Sequence, residues 1–131
     1  MKTPRLVRFL SAIVIAPLSG FAQDPAPATT AAVAKVDYAT QVKPIFQNYC
    51  YQCHGNGKSK AGVRLDVKNS AMMHITAGDP MHSDVYRSLT RSMGASDRMP
   101  PVSQKQPGDA DVATIKLWIQ QGADWPDTPP K

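Results

Sequence analysis

Apolar side chains recur at helical spacing in three places along the chain. Tyr38, Val42, Ile45 and Phe46 mark one face of a short amphipathic helix that ends at about Asn48. Pro44 sits inside that pattern. A proline lacks the backbone donor and crowds the preceding turn, so it is tolerable only in the first turn or as a kink, and the regular helix then starts as late as Thr40. Val85, Tyr86 and Leu89 predict a second helix over about residues 83–92, with Asp79-Pro80 and Ser83 as competing caps. The clearest helix is the last, opened near its positive end by Asp109 or Asp111, carried by Val112, Ile115, Trp118 and Ile119, and closed at Gly122. No alternating run is long enough for a strand, and the one extended candidate covers residues 63–67. The pattern predicts an all-α fold whose long loops need something central to organise them.

The segment ahead of these helices is of a different kind. Residues 1–22 carry Lys2, Arg5 and Arg8, then a ten-residue apolar run over 9–18, then the small residues of Ser19-Gly20-Phe21-Ala22. That order reads as a secretory signal peptide cleaved after Ala22, which places the mature protein in the periplasm. A retained membrane anchor is the alternative, although a span needs roughly 20 apolar residues. Residues 23–34 are Pro, Ala and Thr with little else, too poor in large apolar groups to pack, and read as a flexible linker. The folded domain is expected over residues 35–127, with 128–131 as a tail. A domain of that length has a thin core, to which an internal cofactor would add apolar contact.

Charge changes the picture only by exclusion. The formal balance is +5, but three of the 15 Lys and Arg fall in the signal segment, which leaves 12 against 10 acids, all of them Asp, and a balance of +2. No basic patch of the kind that binds nucleic acid survives.

The chemistry lies in Cys50-Tyr51-Gln52-Cys53-His54, which holds the only two cysteines of the chain. Two intervening residues put both sulfurs on one turn, facing one porphyrin edge, where they can add across the haem vinyl groups. The next residue, His54, then projects toward the iron. A structural zinc site would want four ligands, and His74 and His82 do not make a second pair at matching spacing. A thioredoxin-like redox pair would want a βαβ framework and leaves His54 unexplained. A plain disulfide three residues apart closes too small a loop to stabilise much. One covalently attached haem c is the reading that uses every residue of the motif.

For the sixth iron ligand the candidate is Met99, in Arg98-Met99-Pro100-Pro101, a proline-stiffened loop ahead of the last helix. Little conformational freedom is lost in holding a thioether there, and thioether ligation raises the reduction potential relative to a second imidazole. Met72, Met73, Met81 and Met93 are also available, as are His74 and His82.

The order of these pieces resembles class I cytochromes c and, within them, the planctomycete-type cytochrome c domain. The closer match rests on Val42-Lys43-Pro44-Ile45, Ala61-Gly62-Val63-Arg64-Leu65-Asp66, Gly78-Asp79-Pro80, Arg98-Met99-Pro100-Pro101, and Trp118-Ile119 followed by Gly122-Ala123-Asp124-Trp125. The resemblance implies a small cytochrome c-like fold with N- and C-terminal helices crossing around one haem, His54 proximal and Met99 distal. It also implies that Arg64 lies near the haem, where it could pair with a propionate, the alternative being a solvated surface arginine. Trp118 is expected in the helix crossing against Phe46, and Trp125 closer to the haem edge. The segment Ala71-Met72-Met73-His74 brings more potential ligands than the family pattern calls for. The function implied is single-electron transfer between redox partner proteins, with no small-molecule substrate and membrane contact only if the signal segment is retained. The competing class is a haem enzyme, peroxidase-like, with a labile sixth position and His74 or His82 as distal group.

Overall fold

A computed structural model describes residues 33–127, so the expected signal peptide, all but the last two residues of the linker, and the tail lie outside the described residues. The described part is helical, with no strand. A wide π-type turn, Tyr38–Val42, runs into α1, Lys43–Tyr49. Then come α2, Tyr51–His54, α3, Lys68–Met72, α4, Asp84–Thr90, and α5, Asp109–Gln120. Short 3₁₀ turns cover Lys60–Gly62 and Pro80–His82. No helix among the described residues is long and apolar enough to cross a membrane.

The first helix starts two residues ahead of the latest start that Pro44 allowed, and the reason is the shape of its first turn. Asp37 caps it, accepting from the N–H and the hydroxyl of Thr40 at 2.8 and 2.7 Å. The Lys43 N–H then reaches the Tyr38 carbonyl five residues back. Winding the turn wide gives room around the carbonyl that the Pro44 ring would otherwise crowd, and Pro44 falls in the first turn of α1, where its missing donor matters least. Asp79 and Ser83 both serve as the ends of something, but not of one helix. Asp79 accepts from the N–H groups of Met81 and His82 at 3.0 and 3.1 Å, capping the 3₁₀ turn. The fully buried Ser83 hydroxyl accepts from the Thr76 N–H at 2.9 Å and donates to the Asp79 carbonyl at 2.8 Å, so α4 begins after it at Asp84.

Helix α5 opens at Asp109, with Asp111 reaching back to the Gly108 N–H at 3.3 Å. It closes in a Schellman turn: the Gly122 N–H bonds the Ile119 carbonyl at 3.0 Å, the Ala123 N–H bonds the Trp118 carbonyl at 2.9 Å, and Gly122 takes the left-handed backbone, φ 103°, that such a turn requires. Its apolar face meets the π-type turn and, through Phe46, α1. Val42, Phe46, Ile115, Trp118 and Ile119 are all at most 1% exposed, and the Trp118 ring stands edge-on to Phe46 with centroids 6.2 Å apart. This is the crossing of the first and last helices expected of a small cytochrome c-like fold. The glutamine after α5 ties in the chain's entry: Gln121 accepts from the Val36 N–H at 2.7 Å and donates to the Ala34 carbonyl at 3.0 Å.

Residues 63–67 are not a strand. The chain bends over residues 65–67 and finds a helix end instead of a partner strand, the Leu65 N–H donating to the His54 carbonyl at 2.7 Å. That one bond folds the segment over the end of α2 and sets up one wall of the functional cleft.

Candidate functional site

Cys50 is the joint between α1 and α2. Its N–H continues the first helix to the Phe46 carbonyl at 2.8 Å, and its carbonyl accepts from the His54 N–H at 2.8 Å, so the next turn carries Cys53 and His54 round to the same side. Both thiols, which are not bonded to each other, and the His54 imidazole line one cleft. Burial pushes the Cys50 thiol up to about 12. A disulfide exchanger needs the reverse, a thiolate formed easily at neutral pH.

His54 is held by its backbone neighbours. Its Nδ1 lies 3.2 Å from the Val63 carbonyl. With Nδ1–H donated there, the tautomer is fixed and the Nε2 lone pair remains as a metal ligand. The Val63 carbonyl is in turn framed on both sides, by the Leu65 bond to His54 and by the Arg64 N–H to Ser70 Oγ at 3.0 Å. Asp66 then knits the loop, accepting from the Asn56 N–H at 2.9 Å and from Arg64 Nε and Nη2 at 2.9 and 2.7 Å. The Arg64 fork and the Asn56 N–H hold the Asp66 carboxyl below its ordinary range. Arg64 itself does not line the cleft; its guanidinium lies on Asp66.

Gly55 follows His54 because nothing larger fits. A Cβ there would lie 2.6 Å from Tyr51 Cγ, and Tyr51 is only 5% exposed, so the ring has nowhere to retreat. Its φ is −169°, ordinary extended backbone, and the obstacle is therefore purely steric. Gly55→Ala is expected to destabilise the domain by about 1–3 kcal/mol, the usual penalty of overpacking, measured as a lowered urea midpoint with an unchanged slope. An unchanged midpoint would mean that Tyr51 is free to move.

The other wall is built on α4 and the loop after it. Val85, Ser88 and Leu89 face the cleft, and the Met99 N–H donates to the Ser88 carbonyl at 3.0 Å, which fastens the Met99 loop to that helix. Arg98 donates to the Arg91 carbonyl and, at 3.3 Å, to Gln106 Oε1. Gln106 Nε2 meets the Pro101 and Gln104 carbonyls at 2.9 and 3.0 Å, so the loop is closed from both ends. Of the described methionines, Met99 alone lines the cleft; Met72, Met73, Met81 and Met93 do not. Of the two further histidines, His74 lines it and His82 does not, its Nδ1 being 2.6 Å from Asp79 Oδ2.

Between the walls lies an open cleft with a cavity of about 210 Å³. The lining is chiefly apolar, with Val63, Leu65, Val85, Leu89, Pro100 and Pro101 among it, while Lys60 and Gln104 bring polar groups. Two thiols on one turn, an imidazole with a free Nε2, a thioether from the other wall and apolar sides between them suit a haem with soft and imidazole axial ligands. They do not suit zinc: among the described residues no group of three or more His, Cys, Asp or Glu is clustered to hold a metal ion.

Trp125 is the one aromatic that lies elsewhere than expected. It stacks on Tyr38 with centroids 3.9 Å apart and is not part of the cleft. The Schellman turn directs it there, and the Trp118 Nε1–H bond to the Asp124 carbonyl, 2.9 Å, fixes the segment over the helix crossing. Motif reading also missed the Val63 and Ser88 carbonyls, which hold the two ligand candidates; backbone acceptors carry no residue-type signal.

A search of the curated proteins and one of the solved structures each returned no significant match. Residues 50–103 match the family model of the planctomycete cytochrome C, a stretch that runs from the first cysteine through His54 and Arg64 to the Met99 loop. That match supports a planctomycete-type cytochrome c domain over residues 50–103.

Proposed function

We propose that the protein is an exported mono-haem c-type cytochrome that carries single electrons between redox partner proteins. Cys50 and Cys53 would hold the haem by thioether bonds, and His54 and Met99 would ligate its iron. When bound, haem c supplies an iron that alternates between ferric and ferrous states. The protein's own part is to hold and to insulate. The Val63 carbonyl keeps the proton of His54 on Nδ1, the α4 tether keeps the Met99 thioether at the wall, and the apolar lining excludes water. The observation that carries the reading is that His54 and, alone among the described methionines, Met99 belong to the two walls of one apolar cleft.

Donor and acceptor would dock transiently at the open mouth, over an interface of the small kind typical of redox encounters. Export to the periplasm rests on residues 1–22, with cleavage after Ala22, and membrane contact arises only if that segment is retained. A haem enzyme with a labile sixth ligand is the competing reading. It draws on His74 and Asp84 in the same cleft, but the fastening of the Met99 loop to α4 favours a closed sixth position.

Met99→Ala is the test of the ligand pair. The oxidised wild-type protein should show the weak far-red absorption of a thioether-ligated ferric haem, and the variant should lose it while keeping the haem covalently bound. Retention of the band in the variant would remove Met99 from the iron.

A further inference from the structure

We propose that His74 is a reserve sixth ligand, set in the same wall as Met99 and able to take the iron when the thioether is absent. The inference rests on the His54 and Met99 reading and deepens it.

Position comes first. The His74 carbonyl accepts from the Val85 N–H at 3.2 Å, and the Met99 N–H donates to the Ser88 carbonyl at 3.0 Å. Both residues are thus fastened by their backbones to α4, one helical turn apart, and both line the cleft. The His74 N–H also closes α3, bonding the Ala71 carbonyl at 3.0 Å, so its backbone is fixed from two elements.

Orientation agrees. His74 Nδ1 faces Asp84 Oδ2 at 3.7 Å, with the side chain only 28% exposed, which leaves Nε2 as the nitrogen available to a ligand in the cleft. His54 Nδ1 is likewise turned to an oxygen, the Val63 carbonyl, there at a hydrogen-bond distance of 3.2 Å. His82 has its Nδ1 on Asp79, is 78% exposed and lies outside the cleft, so the two spare histidines of the sequence are not equivalent.

The consequence is a protein that resists becoming an open-site haem. Loss of the thioether would give two imidazole ligands, a low-spin iron and a lower reduction potential, where an unprotected site would become high-spin and reactive.

The test uses the exported holoprotein of Met99→Leu, which conserves core volume, with Met99→Ala as the second variant and circular dichroism as the check of fold. The expected result is loss of the far-red band with the haem still low-spin and its potential lowered, and conversion to high-spin when His74→Ala is added but not when His82→Ala is added. A high-spin spectrum in Met99→Leu would overturn the role of His74 while leaving Met99 as the ligand. A low-spin spectrum that survives His74→Ala would assign the position to another group, such as Lys60, and would also overturn it. An unchanged far-red band in Met99→Leu would overturn the inference through its premise, because Met99 would then never have been on the iron.

Discussion

Cys50→Ser/Cys53→Ser protein, exported and then denatured, should have the mass of the bare mature chain, whereas the wild type should be heavier by one haem. The two thiols lie on one turn of backbone at a cleft wall: they are not bonded to each other, no metal-holding cluster surrounds them among the described residues, and desolvation raises the Cys50 thiol so that it is no ready thiolate. Each single serine variant should still retain haem through the remaining thioether. The double variant should also be less stable, because the largely apolar cleft would then be filled only by a reversibly bound haem or by water. Equal denatured masses for the double variant and the wild type would mean that these cysteines do not carry the cofactor.

Trp118→Ala should have the largest effect on folding. The ring is 1% exposed, stands edge-on to Phe46, and lies 5.7 and 6.3 Å from the rings of Tyr38 and Trp125. Its Nε1–H also satisfies the Asp124 carbonyl. Removing it opens a cavity at the crossing of α1 and α5 and frees the turn that carries Trp125. A buried Trp→Ala change costs about 3–5 kcal/mol, which approaches the whole stability of a marginal domain. Trp118→Phe keeps the aromatic packing and loses chiefly the hydrogen bond, so it should cost about 1–3 kcal/mol. Urea unfolding of the holoproteins separates the two. An alanine variant within about 1 kcal/mol of wild type would mean that the helix crossing is not what holds this fold together.

These effects follow from features with unequal visibility in the sequence. The three longer helical segments were legible because each buries one face: the first and last meet at the crossing through Val42, Phe46, Ile115, Trp118 and Ile119, and the middle one buries Val85 and Leu89. The candidate site was legible because two cysteines and a histidine at that spacing have few other uses, and the three side chains line one cleft. Helix α3 was not, since Lys68–Met72 buries only Ala71 and offers no periodic stripe. The wide turn before Pro44 was foreshadowed as a constraint but not as a shape, because a proline says which bond is missing and not how the backbone accommodates the loss.

The surroundings of the site were the least legible part. The resemblance placed Arg64 near the cofactor, with a solvated surface arginine as the alternative, and neither reading foresaw the fork its guanidinium makes on Asp66, two residues along the chain. A local fork of this kind requires a particular loop curvature, which nothing in the order of residue types specifies. The separation of His74 from His82 was equally hidden. It depends on which residue shares the wall of α4, a consequence of how residues 73–83 fold back through Ser83.

The most direct test of the central claim is the visible spectrum of the purified, exported protein in both redox states, recorded with its denatured mass. The expected result is a mass heavier by one haem, split low-spin bands on reduction, and a weak far-red band on oxidation. A protein without covalent haem would contradict the claim outright.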